Sequence, residues 1–164
     1  MAKKITSVAD LKPDPNNLNK GTERGLGMLD YSLDSFGAWR SIGADKNGVV
    51  GVGNKTLDRW VERGGKIAVV ETAGDTLVVV QRTDLDMGTP KGKLAAIADN
   101  RVAQVDLEWD AEALAEFASS EDGVSDYFFD GEVQKLLKAS GQPETVATDP
   151  DTTCPKCGHQ FKRE

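Results

Sequence analysis

Ser41-Ile42-Gly43-Ala44-Asp45-Lys46-Asn47-Gly48-Val49-Val50-Gly51-Val52-Gly53 decides the fold class. Two short apolar runs flank Asp45-Lys46-Asn47-Gly48, and an Asn-Gly pair between such runs signals a β-hairpin. Gly53 leaves the second strand. Asn54 to Arg63 then carries Leu57, Trp60 and Val61 at helical spacing, before Gly64 and Gly65 stop the pattern. A hairpin feeding directly into a helix predicts a mixed α+β domain.

Toward the N-terminus, Leu26, Leu29, Leu33 and Phe36 recur at helical intervals. Thr22 is placed to cap that helix, and Gly37 to close it. Lys12-Pro13-Asp14-Pro15-Asn16-Asn17 reads as a turn-rich loop, and Lys4 to Val8 as a short strand. Toward the C-terminus, Ile67 to Val70 and Thr76 to Val80 are the clearest strand patterns, joined by a Gly74-Asp75 turn. Leu94 to Val105 is helical in pattern. Asp110 is placed to cap a helix carrying Leu114 and Phe117, and Phe129 to Ala139 forms a last short helix. The expected organisation is a small mixed sheet with packed helices over 1–105, an acidic helical extension over 106–140, a flexible Pro/Thr/Asp-rich linker over 141–153 and a cysteine-containing tail over 154–164.

The 164 residues suit one such domain with a small appendage, and a chain of this size buries roughly 70% of its unfolded surface. No stretch approaches the roughly 20 apolar residues of a membrane helix, and the N-terminus lacks the apolar core of a secretory signal. Two cysteines make no disulfide framework, so a cytoplasmic setting is expected. The net charge of −7 is unevenly spread. Residues 1–66 hold 11 basic and 8 acidic side chains, whereas 106–153 hold 2 and 13. A general nucleic-acid coat needs a basic groove and does not fit. One small phosphate ligand needs only local positive charge.

Gly51-Val52-Gly53-Asn54-Lys55-Thr56 offers that charge. Free N–H groups at a helix start attract anions, glycine lets backbone approach them, Lys55 adds a point charge and Thr56 a hydroxyl. The spacing is not that of a Walker A loop. On these residues alone, a glycine turn with Asn54 as a simple N-cap is the better explanation of the pattern. Arg40 would supply a planar fork to a second phosphate oxygen. Asp99 and Asn100 would offer oxygens to Mg²⁺, and Arg101 further phosphate neutralisation, unless they form an ordinary solvated turn of helix.

Taken in order, these segments resemble the ParB N-terminal domain, of the ParB/sulfiredoxin superfamily. The "LKPDPNN" loop stands where that family has a Pro/Asn-rich segment. Gly37-Ala38-Trp39-Arg40-Ser41-Ile42 takes the place of its first box, Gly53-Asn54-Lys55-Thr56 that of its second, and Ala98-Asp99-Asn100-Arg101 resembles its third. Glu108-Trp109-Asp110 with Leu114 is similar to the continuation in stand-alone, phage-type members. The likeness spans about residues 5–118. It implies a small α+β domain that binds CTP or ATP with Mg²⁺; other members are kinases or reported nucleases. By that resemblance Gly53, Asn54, Lys55 and Thr56 would cradle a triphosphate, Arg40 and Ser41 would line the same groove, and Asp99 and Asn100 would hold the metal. The chain departs from the pattern where Arg40-Ser41 replaces Gln-Pro, where Asn54-Lys55 replaces an arginine pair and where Asp99 replaces Glu. No thiolate lies in the phosphate loop, so sulfiredoxin chemistry is excluded. The acidic stretch after residue 106 is not a DNA recognition helix.

Cys154-Pro155-Lys156-Cys157-Gly158-His159 is half of a zinc ribbon. Cys154 and Cys157 suit one edge of a tetrahedral Zn²⁺, and two chains pairing these edges would complete a Cys₄ site and make a homodimer. A metal-free tail is the alternative. His159 is the single histidine, so a histidine-based triad in the main domain is excluded. Acid–base work would fall to carboxylates, with Glu23 and Asp99 as candidates, although Glu23 also suits the first turn of a helix. Trp39 would stack on a base or pack in the core. Three functions follow as expectations: a nucleotide-binding domain acting on DNA directly or through a partner protein, with possible NTPase activity; a DNA-nicking nuclease using the same groove; or a non-catalytic, zinc-dimerised adaptor whose acidic helices take a basic partner.

Overall fold

The computed structural model describes residues 2–120, 124–129 and 131–140, together with the backbone of 152–153 and 160–161. It divides into two units, Met1–Asp110 and Ala111–Glu164. The architecture is mixed α+β, with five α-helices and a small three-stranded mixed sheet among the described residues.

In the first unit the chain forms β1 (Lys12–Pro13), α1 (Glu23–Phe36), β2 (Gly43–Ala44), β3 (Val49–Val52), α2 (Asn54–Glu62) and α3 (Pro90–Val105). The hairpin stands where the Asn-Gly turn predicts it. The Asp45 carboxylate accepts from the backbone N–H of Asn47 and of Val49, both at 2.8 Å. Gly48 takes a left-handed φ of 82° and passes close to the carbonyl of Asp10, where a Cβ would sit 2.7 Å away. β3 is the central strand. It pairs antiparallel with β2 and parallel with β1, in the register Lys12↔Val49 and Pro13↔Val50. Val50 is wholly buried at the centre of the sheet.

α1 has the predicted ends. The Thr22 hydroxyl accepts from Gly25 N–H at 2.9 Å, and Gly37 at φ 71° donates to the Leu33 carbonyl. Leu29 and Leu33, one turn apart, are buried. α3 begins earlier than its apolar pattern suggests. Thr89 caps it, Pro90 occupies the first turn, and Gly92 lies so close to the Asp86 carbonyl that a Cβ would stand 2.1 Å from it. The Thr22 hydroxyl also donates to the Val105 carbonyl at 2.8 Å, so the start of α1 meets the end of α3, and the two helices pack on each other. Gly25 permits this approach, since a Cβ there would be 2.5 Å from Asp106 Cα. Arg63 of the α2 C-cap ties α2 to α1 through Asp30 and Asp34. Residues 106–110 stay with this unit: Lys20 N–H donates to the Glu108 carbonyl and Asp110 N–H to that of Leu18.

Three local expectations are revised. Residues 4–8 form no strand; a single 3-10 turn spans Val8–Asp10, held by the Asp10 carboxylate on the N–H groups of Thr6 and Ser7. Lys12–Pro13, read as loop, is a strand because β3 lies beside it. The runs 67–70 and 76–80 make no ladder, and no backbone group in 67–71 or 77–81 is hydrogen-bonded. The Gly74 turn does form, at φ 90°, with Gly74 N–H donating to the Thr72 hydroxyl. An isolated two-stranded hairpin is marginal in water, and these runs have no third strand beside them. The ends of this stretch are nonetheless held. Trp60 Nε1 donates to the Lys66 carbonyl at 3.0 Å, and Arg82 donates to the Phe36 carbonyl at the end of α1.

In the second unit α4 (Ala111–Ser120) and α5 (Glu132–Ala139) pack on each other, with Leu114 and Leu137 buried. β4 (Thr152–Thr153) pairs antiparallel with β5 (Gln160–Phe161). Most of the expected linker, and Cys154, Cys157 and His159, lie outside the described residues.

Candidate functional site

β3 delivers the chain to Gly53, whose left-handed φ of 89° turns it into α2. A Cβ at Gly53 would lie 2.6 Å from Ile42 Cγ2, so the Arg40-Ser41-Ile42 segment runs beside the start of α2. From the same segment the Arg40 guanidinium reaches α3, where its Nε donates to both oxygens of Asp99 at 2.7 and 2.8 Å. The segments 40–42, 53–56 and 99–101, far apart in the chain, are thereby linked in space.

Within this arrangement the side chains divide. Asn54 is buried and occupies the first position of α2; Gly53, not Asn54, is the N-cap. Its Oδ1 accepts from Asp14 N–H at 2.9 Å, so it anchors the 12–17 loop. Lys55 is half-buried and lies against Gly21 and Asp106, where a Cβ on Gly21 would meet Lys55 Cε at 3.0 Å. Thr56 is half-buried, and Ser41 and Glu23 are exposed, Glu23 in the first turn of α1. Asp99 is half-buried toward Arg40. Asn100 is exposed one position on, and adjacent residues of a helix do not share a face, so the two do not converge on one point. Arg101 is exposed and bonded to Gln104. Trp39 is half-buried.

Asp106, Gly21 and Arg82 escape sequence reading. Asp106 is buried at the C-cap of α3 and accepts from Thr22 N–H at 3.3 Å. Its burial pushes the carboxyl above its ordinary value, with the Thr22 N–H and the Lys55 ammonium opposing that shift. The signal that points to this corner is the pair of glycines, Gly21 and Gly25, bracketing the cap of α1. Arg82 is raised and Asp84 lowered to about 2 by their mutual hydrogen bonds.

A cleft of about 560 Å³ opens along the flank of α2, lined by Val8, Leu11, Pro13, Leu26, Lys55 and Arg59 among others. Of the predicted site residues among the described ones, Lys55 alone lines it. From Asp99 to Asp106 is seven residues of α3, about 10 Å of helix rise, so the Arg40–Asp99 pair and Lys55 stand near opposite ends of one short stretch of α3. Among the described residues, no three His, Cys, Asp or Glu side chains cluster as a metal cage. A single carboxylate with ligand phosphates and water suits Mg²⁺, which seldom needs an all-protein shell. No described helix is long and apolar enough to cross a membrane. No protein-family model, curated protein or solved structure matches the chain.

Proposed function

We propose that the chain is a ParB-like domain that binds a nucleoside triphosphate, CTP or ATP, with Mg²⁺, and works alongside DNA-handling partners. The observation that carries this reading is the link of Arg40 to Asp99 on one side and of Ile42 to Gly53 on the other, which joins the three segments of the ParB resemblance. Backbone N–H groups at the start of α2 and the Lys55 ammonium meet the phosphates. Arg40, which holds Asp99 through its Nε–H alone, exchanges that carboxylate for a phosphate oxygen. Asp99, released, would hold Mg²⁺, which would supply charge neutralisation for the phosphates. Asn54 positions the loop rather than touching the ligand.

Titration calorimetry of CTP and ATP, each with and without Mg²⁺, tests this. Binding of one nucleotide should need Mg²⁺. Lys55→Ala should weaken it on the order of tenfold, the loss of one charge-assisted contact. Asp99→Asn should abolish the Mg²⁺ requirement. No heat with any nucleotide removes the proposal.

A further inference from the structure

Residues 66–82 of the first unit form an arm that nucleotide binding does not use. The arm is fixed where Trp60 holds the Lys66 carbonyl and where Arg82 holds the Phe36 carbonyl, and it turns at Gly74. Between these points the main chain is bare, since no N–H or carbonyl of 67–71 or 77–81 has a partner within the chain. Exposure alternates as it does along a strand: Leu77 and Val79 are 88% and 76% exposed, Val78 and Val80 37% and 43%. An extended run with unpaired main-chain groups and open apolar side chains is a template for another strand.

What the arm lacks is a third strand, because a hairpin of two is marginal in water. A second copy supplies it. Thr76-Leu77-Val78-Val79-Val80 carries no charge. Laid antiparallel on itself about Val78, it sets Leu77 opposite Val79 of the copy, and Thr76 opposite Val80. Further out, Asp75 falls opposite Gln81 and Arg82 opposite Gly74, so no like charges meet. The other run, 67–70, is bracketed by Lys66 and Glu71, and charges at an edge discourage further strand addition. A two-fold contact of this kind closes on two chains. We propose that the arm is a self-association element: two copies join antiparallel through 76–80 with the two-fold at Val78, and each arm then closes 67–71 on 77–81 in one four-stranded sheet. This is independent of the nucleotide reading and of the cysteine tail.

The test is sedimentation velocity of the full chain, from low to several hundred micromolar, under reducing conditions with and without EDTA. The chain should pass from monomer to dimer in both buffers. Amides of 77–81 should exchange freely in the dilute monomer and slow as the dimer forms. Val78→Pro removes an N–H that is free in the monomer. It should leave the circular dichroism of dilute samples unchanged and weaken dimerisation on the order of tenfold or more. Leu77→Lys/Val79→Lys should weaken it to a similar degree by setting like charges opposite each other. Leu77→Lys/Val79→Glu sets each introduced lysine opposite an introduced glutamate, and should restore dimerisation to within a few-fold of the parent chain. A monomer at every concentration, a dimer indifferent to these variants, or two double variants that behave alike would overturn the proposal. A dimer lost in EDTA would overturn it in favour of the cysteine tail.

Discussion

Two stretches of the first unit share the grammar of a hairpin and end differently. Residues 43–52 pair as β2 and β3, while 67–80, richer in Val, Leu and Ile, make no ladder. Both have a left-handed glycine at the turn, Gly48 and Gly74. The difference lies outside each stretch. β3 has β1 on its far edge and buries Val50 completely, whereas Leu77 and Val79 stay 88% and 76% exposed. Strand propensity measures fit to a half-buried neighbour, and where none is present the same residues remain unpaired.

Four outcomes would break or sharpen that contrast. Val50→Ala should lose about 2–3 kcal/mol of stability in urea, by removing packed methyls and leaving a cavity, while Val79→Ala stays within about 0.5 kcal/mol. Equal losses would mean that 67–80 is buried in solution. Gly48→Ala should lose about 2 kcal/mol, combining left-handed strain with a Cβ 2.7 Å from the Asp10 carbonyl. Gly74→Ala, with open space around it, should lose only about 1 kcal/mol, so a ratio near one would contradict the crowding. Hydrogen exchange should show slow amides in Val49 and Val50 and near-unprotected ones over 77–81. The smallest effect concerns pH. Val49 and Asn47 N–H groups hold the Asp45 carboxyl below its ordinary 3.8. Its stabilising contribution is present above that value and fades as pH falls through the lowered one. Asp45→Asn should therefore flatten the acid limb of the stability–pH curve slightly, and an unchanged limb would refute the role.

The same division between local and distant causes governs what was legible. α1 was readable at both ends, because Thr22 and Gly37 act on their own neighbours. So were the 45–48 turn and the body of α2. β1 was not, because Lys12–Pro13 becomes a strand only through β3, about 37 residues on. In the candidate site, Arg40 and Asp99 were named separately, for phosphate and for metal. Their mutual ion pair depends on α1 packing on α3, a contact between distant parts of the chain that no local pattern encodes. Asn54 was assigned to a ligand or a cap and instead holds Asp14. Asp106 passed as one acid among many in a strongly acidic stretch. Its burial follows from Gly25, where the absent side chain admits it.

The fastenings at Lys66 and Arg82 bear on how the protein would survive damage. Trp60 grips the chain just before the unpaired stretch and Arg82 grips it just after. Both grips, and the α1–α3 contact, lie outside the stretch itself. A protease cutting near Gly74 would therefore sever the polypeptide without parting the molecule, since each new end stays tied to a helix that is still in place. The same stretch is a natural position for opening the chain in a circular permutant or for inserting a foreign segment.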